Sequence, residues 1–176
     1  MLLYLDIDGV LIPGPNRHGH TPASHRLDNV LPEGYTEPVK IWLNPEHGPQ
    51  ILELLDATSL EPVWCSSWRA DASGLIGSRL GLPAWPHVPL PRLLLTTSHP
   101  DGYLWKRDHV AVHAAGAPFA WIDDDFTDVD HAWAEARAAA GHPTLLVQPE
   151  HYVGILPEHL HAVRAWAAAG ALRRSA

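Results

Sequence analysis

Apolar residues recur along this chain in short runs of strand length, separated by stretches whose apolar positions repeat every three to four residues. Met1–Leu5 opens as a strand, Leu60–Cys65 leads into a second that ends in small hydroxyls, and Phe119–Ile122 and Thr144–Val147 predict two more. Val39–Leu43 alternates and reads as a short strand, one arm of a hairpin flap. His87–Leu90 gives a weak strand inside the proline-broken stretch Pro83–Pro100. Between them, Asn44 as N-cap and Pro45 in the first turn predict a helix through Gln50–Leu55. Further helices are predicted over about Ala70–Leu80 with Gly81 as its stop, from Lys106 to around Gly116, over Asp128–Ala140, and over Pro157–Leu172. Strands alternating with helices predict an α/β fold whose mostly parallel sheet is covered on both faces.

Pro13, Gly14, Pro15, Pro22, Pro32, Gly34 and Pro38 break the stretch between Leu11 and Lys40, so residues of about 11–43 form an irregular insertion, large enough for a flap. With 176 residues, 46% of them apolar, one domain spanning residues 1–176 with a sizeable core is the expectation. The formal charge of −8 argues against an extended nucleic-acid surface or an anionic membrane as partner, although 13 histidines soften it near pH 6. The single cysteine, Cys65, allows no internal disulfide and no cysteine-rich zinc site, which fits a reducing, cytoplasmic setting. The opening apolar run lacks the basic leader of a signal peptide, and no stretch has the length of a membrane span.

The chemistry concentrates at strand ends. Asp6 and Asp8 follow the first strand with one residue between them, and Gly9 then lets the chain turn. If the strand ran through both, the two carboxylates would point the same way, and such a pair needs a cation, a shared proton or solvent. Ser66 and Ser67 follow the second strand, Lys106 opens a helix, and Asp123, Asp124 and Asp125 follow Phe119–Ile122. Ligand sites in such sheets form at the carboxyl ends of the strands, where all of these fall. Taken singly each has a plainer reading: a solvated turn for Asp6 and Asp8, helix capping for Ser66 and the aspartate run, a solvated lysine for Lys106.

Taken in order, Asp6-x-Asp8-Gly9-Val10, Ser66, Lys106 and Asp123-Asp124 resemble the signature motifs of the haloacid dehalogenase-like (HAD) superfamily. The contexts Trp64-x-Ser66-x-Trp68, Trp105-Lys106 and Trp121-Ile122-Asp123-Asp124 are similar to compact HAD domains of RNA-repair proteins. That resemblance implies a Rossmann-like sheet of five strands ordered 5-4-1-2-3, and magnesium-dependent phosphoryl transfer through an aspartyl-phosphate. Asp6 would be the nucleophile and Asp8 the general acid and base. Ser66, with Ser67 as fallback, would donate to a phosphoryl oxygen, and Lys106 would neutralise charge. Asp6, Asp123 and Asp124 would hold Mg2+, with the Asp8 carbonyl as a further contact by resemblance; Asp128 is the alternative to Asp124.

The insertion and the Pro83–Trp105 window are both too short for a full cap, which implies an open site for a phosphorylated small molecule or a nucleic-acid end. Gly9, Arg17, Ser67 and Arg69, with His18, His20 and His25, are candidates for contact with substrate. The leading expectation is a phosphomonoesterase. The alternatives are a polynucleotide-end phosphatase and a non-catalytic phosphate-binding module.

Overall fold

The structure, a computed structural model, describes residues 1–92 and 98–174. β1 (Leu2–Leu5) is the first strand, followed by the hairpin of β2 (Arg26–Val30) and β3 (Val39–Leu43), then α1 (His47–Thr58) and β4 (Glu61–Trp64). A π-turn over Ala72–Ile76 passes into a 3-10 turn over Gly77–Leu80. The remaining elements are α2 (Arg107–Ala114), β5 (Phe119–Ile122), α3 (Asp128–Ala139), β6 (Thr144–Val147) and α4 (Pro157–Arg174).

The main sheet runs β4-β1-β5-β6 with every pair parallel. This is the expected order, less one strand: the edge beyond β4 is a single parallel bridge between Trp64 and His87 where a fifth strand was expected. Trp64 donates to the Pro86 carbonyl and Val88 donates to the Trp64 carbonyl. Pro86, Pro89 and Pro91 bracket that contact, and proline supplies no N–H to extend a ladder. Residues 93–97 of the proline-rich window lie outside the described residues.

Alternation along the strands builds two apolar layers. Leu3, Leu5, Trp64, Ala120 and Ile122 face Ile51 and Leu54 of α1, Val163 and Ala167 of α4, and Ala72 and Ile76 of the π-turn. Tyr4, Val63, Cys65, Phe119 and Trp121 face the other way, onto Val110 and Ala114 of α2 with Trp133 of α3. A strand buried on both faces reads as a continuous apolar run, which explains why β1 and β5 stand out in the sequence. β2 does not stand out: only Val30 of Arg-Leu-Asp-Asn-Val is buried. It forms by antiparallel pairing with β3, and Arg79 pins it to the core through Asp28 at 2.5 Å.

Two local expectations change. α1 starts at His47, because Asn44 caps a turn instead, accepting from the Glu46 N–H at 3.1 Å. The segment after β4 is no α-helix; Gly74 and Gly77 sit within it, and its last turn closes at Gly81, whose φ is +70°.

Candidate active site

Backbone bonds carry the ladder one residue past each strand and so fix the site. Asp6 donates to the Ile122 carbonyl at 3.0 Å, Cys65 to Leu5 at 2.8 Å, and Asp123 to Val147 at 3.2 Å. Asp6 at the end of the central β1 therefore lies between the ends of β4 and β5. The chain turns immediately afterwards: the N–H groups of Val10, Leu11 and Ile12 all point at the Ile7 carbonyl, and Gly9 takes φ +70°. The strand thus does not run through Asp8, and the two carboxylates are not a same-face pair: Asp6 is buried and Asp8 is exposed at the rim.

Lys106 reaches this edge from the layer of α2. Its position is set by Asp130, whose Oδ2 accepts from the Leu104 N–H at 3.0 Å while also capping α3 through the N–H and hydroxyl of Thr127. Lys106 is 4% exposed and its ammonium bonds Oδ2 of Asp6 at 2.5 Å and Oδ2 of Asp123 at 2.8 Å. Burial alone would lower the lysine's proton affinity, but the charges of Asp123 and Asp6 outweigh it and hold the ammonium charged.

One ligand oxygen from each of Asp6, Asp123 and Asp124 lies within 4.8 Å of the other two, the spread of a single coordination shell. Burial pushes the Asp124 carboxyl up, and the bond from His151 Nδ1 at 2.7 Å opposes that. Asp128 is the exposed first residue of α3 and no part of this group, so the structure brings Asp124 and not Asp128 beside Asp6. Three carboxylates share one lysine and one histidine, and the donor set is all oxygen. These residues fit a small hard cation such as Mg2+.

Asp8 is crowded by protein although its edge meets solvent. Burial, with the charge of Asp6, raises its carboxyl to about 6, opposed by the indole N–H of Trp68, Lys106 and the Ser67 hydroxyl. The indole donates to both oxygens, at 3.1 and 3.0 Å, and Ser67 Oγ lies 3.3 Å from Oδ2. Asp8 and Ser67 separate two clefts. One of about 280 Å³ holds Asp6, Lys106, Asp124, Asp125, His151 and Trp105. The other, of about 350 Å³, lies under the hairpin and is lined by Tyr35, Lys40, Trp68 and Arg69, by the carboxylates of Glu33 and Asp71, and by apolar neighbours. A third cleft of about 300 Å³ between α1 and α4 contains none of the residues singled out at the strand ends.

Ser66 is 1% exposed and its hydroxyl has no partner among the described residues, whereas Ser67 is exposed in both clefts. Arg69 lines the cleft under the hairpin and bonds Glu33 at 3.4 Å. Gly9 lines neither cleft; a Cβ there would sit 2.1 Å from the Asp124 carboxyl, so the absence of a side chain makes room for that aspartate. Arg17, His18 and His20 belong to an exposed turn folded on Asn16, whose Oδ1 accepts from the N–H groups of His18 and His20, and this keeps Arg17 out of both clefts. His25 instead packs on His47 at 5.4 Å between ring centroids.

Sequence reasoning missed His151 and the bond from Trp68 to Asp8. His151 has no neighbouring motif, but it lies in the loop after β6 at the same edge of the sheet, a position that strand order alone points to. Cys65 is fully buried and burial pushes its thiol up, in keeping with a core residue. Among the described residues no helix is long and apolar enough to cross a membrane.

No curated protein matches the chain. Among solved structures it is similar to a hypothetical protein of Xanthomonas campestris, at 17% identity and a TM-score of 0.43 over 99% of this chain and 88% of that one. A protein described as a HAD superfamily (subfamily III A) hydrolase from Legionella pneumophila aligns at 13% identity and 0.42, over 98% and 89%. One described as a 3-deoxy-D-manno-octulosonate 8-phosphate phosphatase from Vibrio cholerae aligns at 14% and 0.38, over 96% and 83%. The family model for the HAD domain in Swiss Army Knife RNA repair proteins matches residues 2–160, and the chain, with its parallel sheet and its strand-end aspartates, belongs to that family.

Proposed function

We propose that this protein is a phosphomonoesterase that passes the phosphoryl group through Asp6 and requires Mg2+. The observation that carries this reading is the buried Lys106 bridging Asp6 and Asp123, with Asp124 within reach of the same ion and Asp8 on the wall beside them. Asp6, Asp123 and Asp124 would hold the metal, whose charge would screen the phosphate from the attacking carboxylate.

Lys106 bonds Oδ2 of Asp6, which leaves Oδ1 to attack phosphorus. The Oδ1–P bond forms as the ester P–O bond breaks, and the departing oxygen takes its electron pair and the proton of Asp8. Asp8, now a carboxylate, removes a proton from water. That water attacks the phosphoryl group, the bond to Asp6 breaks, and Asp6 returns as a carboxylate. A carboxyl raised to about 6 suits both halves of this cycle near neutral pH. The unpartnered hydroxyl of Ser66 would donate to a phosphoryl oxygen, and Ser67 spends its proton on Asp8.

A narrower reading takes the substrate to be a phosphorylated nucleic-acid end. The family's occurrence in RNA-repair proteins supports it, as does the cleft beneath the hairpin, where Tyr35 and Trp68 offer ring faces and Lys40, with Arg69 bonded to Glu33, offers positive charge beside Asp8. A charge of −8 suits contact with a terminus better than a long footprint. The free, buried Cys65 is in keeping with a cytoplasmic protein.

The test is a panel of chromogenic esters and of 3'- and 5'-phosphorylated oligonucleotides, assayed with and without Mg2+. Asp6→Asn should abolish turnover while the circular dichroism spectrum stays unchanged. Folded, magnesium-loaded protein that turns over no member of the panel, or an Asp6→Asn variant as active as the parent, overturns the reading and favours a phosphate-binding module.

A further inference from the structure

The cycle above asks Asp8 to aim a proton at a departing oxygen, and a carboxylate whose edge meets solvent at the rim of two clefts would turn about two bonds if nothing held it. The structure supplies a restraint. The indole N–H of Trp68 lies 3.1 Å from Oδ1 and 3.0 Å from Oδ2, one donor shared by both oxygens. Trp68 is itself fixed, since its ring packs against the layer of the core on its own side of the sheet. Its backbone lies in a tight turn where Arg69 N–H bonds the Ser66 carbonyl at 3.0 Å and Asp71 N–H bonds that of Trp68 at 3.0 Å. Arg69 pays for that turn with a φ of +49°, a left-handed conformation rare for a residue with a side chain.

The choice of donor matters chemically. An indole N–H donates and has no lone pair to accept a proton, so it can orient a carboxyl group without competing for the proton that group must deliver. A shared N–H also leaves either oxygen free to carry the proton. Ser67, by contrast, bonds Oδ2 alone, at 3.3 Å.

We propose that Trp68 is a positioning residue for the acid–base step: it holds the carboxyl plane of Asp8 so that the proton faces the leaving oxygen. This rests on Asp8 acting as the acid. The consequence is a loss that depends on the leaving group. An alkoxide cannot depart without a proton, whereas dinitrophenolate can, so misaiming the acid harms the first far more than the second.

The experiment compares kcat/KM, which reports transfer to Asp6, for an alkyl phosphate and for 2,4-dinitrophenyl phosphate in wild type and Trp68→Phe. The expected loss on the alkyl ester is about 10- to 100-fold and at least about tenfold larger than on the dinitrophenyl ester, within the reach of general-acid catalysis. Trp68→His, which keeps a ring N–H, should recover part of it. Independently of turnover, the Trp68 indole resonance in ¹⁵N-labelled protein should move upfield and exchange faster in Asp8→Ala. Equal losses on both esters, or an indole resonance that Asp8→Ala leaves in place, overturn the proposal and make Trp68 a packing residue. A wild type inactive on both esters removes the phosphatase reading and this role with it, while an unmoved indole removes only this one.

Discussion

Acid should weaken this fold through His47, a residue remote from the carboxylates. His47 opens α1 at 3% exposure, its Nδ1 has no partner among the described residues, and the ring of His25 stands against it at 5.4 Å. Burial, then the neighbouring His25, lowers the imidazole from 6.5 to about 4, and a bond to the Ile155 backbone opposes them. The folded protein therefore binds the proton later than the unfolded chain does. Stability from this group is whole above the unfolded value near 6.5 and drains as pH falls toward about 4. The full difference is about 3 kcal/mol, of which about 2 kcal/mol is lost between pH 7 and pH 5. Asp8, whose carboxyl is raised to about 6, acts with the opposite sign, because the folded state holds its proton more tightly, and Asp124, also raised by burial, acts in the same sense as Asp8. The assay therefore compares slopes: urea unfolding of wild type and His47→Gln at pH 7, 6 and 5. The variant should start less stable and lose about 2 kcal/mol less over the interval, since it lacks the titrating ring. Parallel slopes would mean that the imidazole is charged or solvated in the folded protein, and the reasoning would fail.

Two further outcomes follow from the site. Gly9→Ala places a Cβ 2.1 Å from the Asp124 carboxyl at a φ of +70°, so Asp124 must move; magnesium affinity, read by calorimetry, should fall by about tenfold or more while the thermal midpoint drops. Lys106→Met keeps the length of the side chain but strands two buried carboxylates, which should cost about 3–5 kcal/mol in urea unfolding at neutral pH.

The parallel sheet and the residues gathered at its edge were legible in the sequence for one reason. Strands β1 and β5 are buried along nearly their whole length, so each is written as an apolar run with a charge directly after it, while β4, which begins at exposed Glu61, shows only the short apolar run Val63–Cys65 ahead of its hydroxyls. Asp6, Ser66 and Asp123 are found that way. β2 was not legible because four of its five residues escape full burial and nothing local marks it as extended; its pairing comes from β3 and Arg79. The sixth-strand loop bearing His151, and the turn that brings Trp68 onto Asp8, depend on neighbours 27 and 60 positions away in the chain, which no local pattern encodes.

That division has a physical root. The apolar layers on either side of the sheet can be specified residue by residue, since burial on a strand face asks only for size and hydrophobicity. The acidic edge cannot, because each carboxylate there is tolerable only in the presence of the others' partners. Asp123 is fully buried and admissible because Lys106 bonds it; Lys106 is admissible because Asp6 bonds it too; and Lys106 reaches them because Asp130 holds Leu104 from a different helix. Asp124 closes on the group only because residue 9 has no side chain, and it draws His151 from beyond β6. Taken as a set, Asp6, Asp123 and Asp124 outnumber the groups that face them, Lys106 and His151. A phosphate arriving alone would add to that excess of negative charge, whereas a divalent ion arriving first would offset it and admit the phosphate. On this reading the affinity for substrate and the requirement for metal are one electrostatic property of the strand ends, and not two.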